Sequence, residues 1–180
     1  MARATTDAIT LLKEDHRKVE ALFEQFEKAQ ADRKRKLAKQ ICTELTVHAM
    51  IEEEIFYPAC KGKIEDEEVL EEAYVEHDGA KVLISEISKA GAGDEFFDAK
   101  VKVLSEMIKH HVKEEEKRSE GLLAQAKAAG LDIQRLGERL MQRKKELMQE
   151  IDPDNLPDPK TRSYKGHKLI QSTPLEAPAA

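Results

Sequence analysis

Tryptophan is absent from the 180 residues, aromatic side chains make up only 4%, and glycine is held to 8. A sandwich or barrel needs aromatic and β-branched residues on its pleated faces and glycine at its turns, so these absences argue against an all-β architecture. Proline is as unevenly placed. Pro58 stands alone in the first 150 residues, and Pro153, Pro157, Pro159, Pro174 and Pro178 all follow residue 150. No apolar run approaches the roughly 18 residues that a membrane-crossing helix requires. The N-terminus shows one arginine and no apolar stretch, so no secretory signal is read there. Cys42 and Cys60 fall on one expected helix, about 27 Å apart at 1.5 Å per residue, beyond disulfide reach. Reduced thiols and a cytoplasmic location are the expectation.

Charge is what the chain has in abundance. Charged residues form 37% of the sequence, 30 basic against 36 acidic, for a net charge of −6. They are interspersed, with no basic stripe, so neither nucleic acid nor a membrane surface is an expected partner. The length suits one domain of about 150 residues plus a tail, large enough to fold without a disulfide or a structural metal.

Apolar periodicity and capping residues divide the chain into helices. Asp7 caps a first, through about Gln30, with Ile9, Leu12, Val19, Phe23 and Phe26 on its apolar face. Asp32 opens a second, carrying Leu37, Ile41, Leu45, Ile51 and Ile55, which kinks or ends just past Pro58. A third spans Glu65 to Ala90. A fourth, capped by Asp94 and the longest, ends near Gly130. Asp132 starts a more polar fifth helix, to about Glu150, expected to pack outside the others. Four long helices with short connections predict an all-α, up-down-up-down four-helix bundle. The expected organisation is the bundle over residues 1–130, an accessory helix over 131–150 and a Pro-containing disordered tail over 151–180.

An internal echo carries the chemistry. His16 precedes His48, with Glu52 four residues on; His77 precedes His111, with Glu115 four residues on. Residues at i and i+4 share a helix face, so each His-x-x-x-Glu can present a nitrogen and an oxygen to one point. A single such pair says little in a chain this rich in glutamate, and His16/Glu20 and His110/Glu114 also fit it. The whole set is informative. On the second helix the register reads Ile41, Leu45, His48, Glu52, Phe56, Ala59. On the fourth it reads Leu104, Ile108, His111, Glu115, Ser119, Leu122. The alternative His110 register loses apolar character below Glu114, so His111 is chosen and His110 is placed at the surface or behind the site. Six inward-facing imidazoles and carboxylates are costly to bury unpaired, which predicts a divalent cation site. Four nitrogens and two oxygens suit iron, with zinc and manganese as alternatives.

The segments Asp15-His16 through Phe23, His48 through Pro58, Val75-Glu76-His77 and His110 through Glu116 resemble the bacterial haemerythrin-like (HHE cation-binding) family over about residues 6–148. The resemblance implies a non-haem di-iron centre, oxo- or hydroxo-bridged. Its ligands would be His16, His48, His77 and His111, with Glu52 and Glu115 bridging. It also implies reaction with dioxygen, peroxide or nitric oxide as small ligand, with an electron-donor protein as a further partner. Repair of iron–sulfur centres or iron donation, and a non-catalytic sensor, are the competing functions. Oxygen-carrying haemerythrins place a second histidine four residues before the third-helix ligand, where this chain has Ala73. They end with an aspartate five after the last histidine, where it has Glu116. Tyr74 and Glu20 are the candidates for the vacated position, each with a plainer reading as a packed tyrosine and a surface ion-pair partner. Glu53, Glu54, Glu114 and Glu116 read as solvated faces, and the methionines as packing.

Overall fold

The computed structural model describes residues 6–91 and 93–166, and these contain helices and no strand. Helix α1 (Ala8–Lys28) starts where expected, because the Asp7 carboxylate accepts the Thr10 amide at 2.9 Å. Helix α2 (Ala31–Ile51) begins after Gln30, with Asp32 inside its first turn. It continues through a π-helical turn (Glu52–Phe56) into the short α3 (Tyr57–Cys60). Pro58 lies in the first turn of α3, directly after the π turn, and brings no amide proton to the helical ladder. Helix α4 spans Glu68–Ser88.

The fourth expected helix is broken. Helix α5 (Phe97–Glu115) ends at the second glutamate of a triplet, the chain turns, and α6 (Leu122–Ala128) follows. A Cβ at Gly121 would stand 2.4 Å from the Glu115 carbonyl oxygen and 2.6 Å from the Lys117 nitrogen. Only glycine permits the chain to fold back so closely on the helix end. Asp94 accepts the Phe96 amide at 2.9 Å and so shapes the turn before α5.

Helices α1 and α2, α2 and α4, α4 and α5, and α5 and α1 pack on one another, closing a ring of four. Its interior holds two apolar clusters. One joins Leu12, Val47, Ile51, Phe56 and Leu122; the other joins Val19, Phe23, Ile41, Ile84 and Leu104. The histidines lie in the sequence between members of the two, on α1 between Leu12 and Val19, and on α2 between Leu45 and Ile51. Cys42 and Cys60 are free, buried, and in different clusters.

Helix α7 (Ile133–Glu150) begins as expected at Asp132, whose carboxylate accepts the Arg135 amide. It packs on the ring of four from the α1–α2 side, outside the bundle as expected, and still contributes to the core. Leu136, Leu140 and Leu147 join the first cluster, and α7 packs on α1, α2 and the π turn. Gly137 allows the closest approach, since a Cβ there would meet the Thr6 carbonyl oxygen at 2.4 Å. Residues 151–166 do not hang free either. The buried Asp78 carboxylate accepts the Arg162 amide, the Ser163 amide and the Ser163 hydroxyl, each at 2.7 Å. Lys89 pairs with Asp158 at 2.8 Å, Lys39 pairs with Asp154, and Leu156 packs on the second cluster. The segment is a strap across α2 and α4. The remainder of the expected tail, His167 included, lies outside the described residues. Among the described residues no helix is long and apolar enough to cross a membrane.

Candidate metal centre

All six residues singled out by the sequence meet in one buried layer. His16, His48, Glu52, His77, His111 and Glu115 are each at most 6% exposed. The imidazoles form two pairs. The Nε2 atoms of His16 and His48 stand 3.1 Å apart, and those of His77 and His111 stand 3.2 Å apart. The carboxylates join the pairs. Glu52 Oε2 lies 3.2 Å from His48 Nε2 and 3.3 Å from His77 Nε2. Glu115 Oε2 lies 3.5 Å from His16 Nε2 and 3.6 Å from His111 Nε2. Each carboxylate thus touches one imidazole of each pair. Two groups have ligand atoms close enough to hold a cation, His16–His48–Glu52 and Glu52–His77–His111.

Behind the imidazoles stand carboxylates that fix their direction. His16 Nδ1 meets Glu116 at 2.8 Å, His77 Nδ1 meets Glu53 at 3.1 Å, and His111 Nδ1 meets Glu76 at 2.8 Å. Asp15 faces His48 Nδ1 at 3.5 Å, an ion-pair distance, and is itself held by Lys144 of α7. A carboxylate at Nδ1 keeps the proton there and turns the Nε2 lone pair inward. Glu53 and Glu116 therefore do not belong to solvated faces. Glu54 does lie outward and pairs with Arg143 at 2.7 Å. Glu114 likewise pairs with Lys117 at the surface.

Tyr57 is the functional residue that helical spacing missed. Its hydroxyl donates to Glu115 Oε1 at 2.9 Å, and its oxygen stands 3.1 Å from His77 Nε2 and 3.4 Å from Glu52 Oε2. In an α-helix, Phe56 rather than Tyr57 would follow Glu52 on the same face. The π turn supplies the extra residue: the Tyr57 amide bonds the Glu52 carbonyl, five residues back, and Tyr57 comes round to the site. Tyr74 contacts the Tyr57 ring edge-on and lies under the Arg162 guanidinium, while Glu20 pairs with Arg17. Neither fills the vacated position. Ala73 is buried in the apolar cluster beside Tyr57. His110 is outside the layer, with its side chain 64% exposed and paired to Glu76 at 3.2 Å.

The donor set fits cations and little else. With the Nδ1 protons of His16, His77 and His111 held by the outer carboxylates and Asp15 facing that of His48, two imidazole lone pairs face each other twice over, amid carboxylate oxygens. Glu52 Oε1 and Glu115 Oε2 have no hydrogen-bond partner although buried. Tyr57 has one proton to give and gives it to Glu115. Without a metal, protons must do a cation's work. Burial opposes a charge on His48, yet Glu52 and Asp15 outweigh it and push this imidazole up to about 10. Burial is likewise outweighed at His77, raised to about 9 by Glu52 and Glu53. Burial and the neighbouring His48 drive His16 down to about 4. Burial and the charge of Glu52 raise the Glu115 carboxyl; Glu52 is held well below the carboxylate range because His48 and His77 outweigh its own burial.

Residues 7–123, well over half of the chain, match the family described as the Hemerythrin HHE cation binding domain. A crystal structure of an HHE cation binding domain-containing protein from Mycobacterium kansasii superposes with a TM-score of 0.66 at 19% identity, covering 81% of this chain and 89% of that one. A curated relative from Nostoc sp., named a DNA nickase, is 29% identical over 107 residues, 59% of this chain. The match spans only 30% of that relative's length. On the family match and the paired His–Glu clusters, the chain is a member of the haemerythrin HHE cation-binding domain family.

Proposed function

We propose that the chain holds two iron ions and binds or reacts with a small ligand, dioxygen, peroxide or nitric oxide. In this reading α1, α2, α4 and α5 run up-down-up-down. His16 and His48 would hold one ion and His77 and His111 the other, with Glu52 and Glu115 as the carboxylates within reach of both. The observation that carries it is the bridging geometry, in which each carboxylate reaches one imidazole of each pair. Four nitrogens and two oxygens, with a phenol at hand, favour iron over the oxygen-seeking magnesium and calcium. When bound, a pair of irons supplies electrons to such a ligand, and an electron-donor protein would replenish them.

The side chains around the site have three tasks. Asp15, Glu53, Glu76 and Glu116 aim the imidazoles. The two apolar clusters keep bulk water from the carboxylates, which strengthens their hold on a cation. Tyr57 makes the halves unequal, since its oxygen approaches His77 and not the His16–His48 pair. Its proton is shared with Glu115, and burial together with the Glu115 and Glu52 charges raises the phenol well above its ordinary range. A cation beside His77 would reverse that balance and draw the phenolate in as a ligand.

The test is metal content by elemental analysis with a visible spectrum before and after peroxide. About two irons per chain are expected from the ligand count; metal-free protein after anaerobic iron loading would defeat the reading. Loss of the iron to an apo acceptor would move it to iron donation. Tyr57→Phe removes only the hydroxyl. It is expected to abolish a phenolate-to-iron charge-transfer band while iron content, held by the six His and Glu ligands, stays near two per chain. An unchanged spectrum would leave Tyr57 as a hydrogen-bond donor only.

A further inference from the structure

The strap is held at points rather than along a packed face. Residues 157–160 are exposed, and a cavity of about 430 Å³ stands between the strap and Ala49, Met50 and Ile84 of the helices beneath. Its anchor is Asp78, buried on α4 directly after His77. A buried carboxylate is costly unless hydrogen-bonded. Asp78 is satisfied chiefly by the strap, through the Arg162 and Ser163 amides and the Ser163 hydroxyl, each at 2.7 Å, with Lys81 adding a contact at 3.3 Å.

From Asp78 the contacts lead to the metal centre. Lys81, one turn along α4 from His77, also meets the strap carbonyl of Lys160 at 3.1 Å and Glu53 Oε1 at 2.6 Å. Arg162 approaches Glu53 from the strap itself, Nε to Oε2 at 3.7 Å. Glu53 Oε1 in turn faces His77 Nδ1 at 3.1 Å. These two cations grip Glu53, and both are tied to the strap, one belonging to it and one bonded to it. The other outer carboxylates are gripped from elsewhere. Glu116 is held by Arg17 at 2.5 Å, Glu76 by His110 at 3.2 Å, and Asp15 by Lys144 of α7.

From these contacts we infer that the strap is a latch on one of the two cation positions. Docked on Asp78, it fixes Glu53 and through Glu53 the His77 ring, so it sets the hold of the His77–His111 half apart from that of the His16–His48 half. The inference rests on the two-ion reading and adds a means of regulating it. Arg162, Ser163, Asp78 and Lys81 are positioning residues, since none of them faces the cation. An imidazole that loses its Nδ1 partner loses its tautomer and its direction, and with them its grip on a metal. Docking rests on a few hydrogen bonds and ion pairs near the surface, so the latch opens more readily than the bundle it lies on.

Ser163→Pro removes the amide and hydroxyl donors to Asp78 without entering the bundle. In full-length, metal-free protein, NMR is expected to show the His77 Nδ1 proton as a slowly exchanging imidazole signal. Ser163→Pro should lose that signal while those of His16 and His111 persist, and Ser163→Thr, which keeps both donors, should retain it. Asp78→Asn, which weakens the anchor from the helix side, should repeat the loss. Titration with Co(II) alone is expected to find one of two sites weakened about 10–100-fold in Ser163→Pro and the other unchanged. Lys144→Ala is the counterpart on the other half, expected to weaken a site while the His77 signal stays. Wild-type exchange at His77 and two wild-type affinities in Ser163→Pro would overturn the latch. Equal losses at every imidazole and both sites would overturn it too, and leave the strap a general brace. Wild-type protein that takes up no second ion, with the His77 signal still lost in Ser163→Pro, would count against the two-ion reading alone.

Discussion

Glu52→Ala is expected to empty the proposed two-ion centre of both ions, and His48→Ala to disturb chiefly the His16–His48 half. The asymmetry follows from position. Glu52 is the one residue common to both groups able to hold a cation, and its Oε2 touches His48 on one side and His77 on the other. Loss of a residue that merely orients a ligand costs about 10–100-fold in affinity, so removal of a shared ligand is expected to exceed that range for both ions. Stability should follow, since a cation at 100 times its dissociation constant contributes about 2.7 kcal/mol to the folded state. Elemental analysis and melting with and without iron would measure both. His110→Ala is the control: its side chain is exposed and pairs with Glu76 outside the layer, so full metal content is expected. A Glu52→Ala protein that keeps one ion per chain would show that the halves are independent and that Glu52 does not bridge.

The six inward residues were legible because each interrupts an apolar stripe at helical spacing, and periodicity is a property of one helix at a time. Tyr57 was illegible for the same reason. Its approach to Glu52 depends on a π turn, and a reader counting in fours arrives at Phe56. Nothing local in Glu52-Glu53-Glu54-Ile55-Phe56-Tyr57 announces five residues in that turn. Tyr74, the candidate the spacing offers, lies at helical spacing from His77 but spends its ring on Tyr57 and Arg162.

Pairings across helices were hidden in a different way. Glu116 meets His16 across 100 residues of sequence, and Glu76 meets His111 across 35. Beside the inward Glu115, Glu114 and Glu116 read as wet faces, yet Glu116 reaches inward because the chain leaves the helix at that residue. Gly121 marks that exit in the sequence, although apolar positions continue beyond it. The packing of α7 was also available, in the narrow stripe of Leu136, Leu140 and Leu147. Its strong charge concealed a face only a few side chains wide. The strap gave least warning. Its prolines suggest a mobile segment, and what fixes it is the buried Asp78, whose three accepted hydrogen bonds come from residues 84 and 85 positions further on.

Metal loading is expected to release about three protons per chain at pH 7, and affinity is expected to climb about tenfold per pH unit for each proton displaced as pH rises from 7 towards 9. One is the phenol proton of Tyr57, lost as it becomes a phenolate ligand; the other two are those of His48 and His77. Both imidazoles are raised by folding from 6.5, to about 10 and about 9, so the metal-free fold binds protons that the unfolded chain gives up. Their contribution to stability is complete below pH 6.5 and disappears as pH rises through 9 to 10. The metal-free protein should therefore melt progressively lower across that interval. A bound cation stands where the protons stood, so the loaded protein should gain on the metal-free one over the same interval. Calorimetry of metal binding in buffers of different ionisation enthalpy counts the protons, and paired melts give the second slope. Were Glu52 and Glu115 to carry the protons instead, with all four imidazoles neutral, release would be exhausted at lower pH and the metal-free melting temperature would be flat from 7 to 9. The cluster would then be balanced by its carboxyls, and the raised imidazoles would not describe the metal-free site.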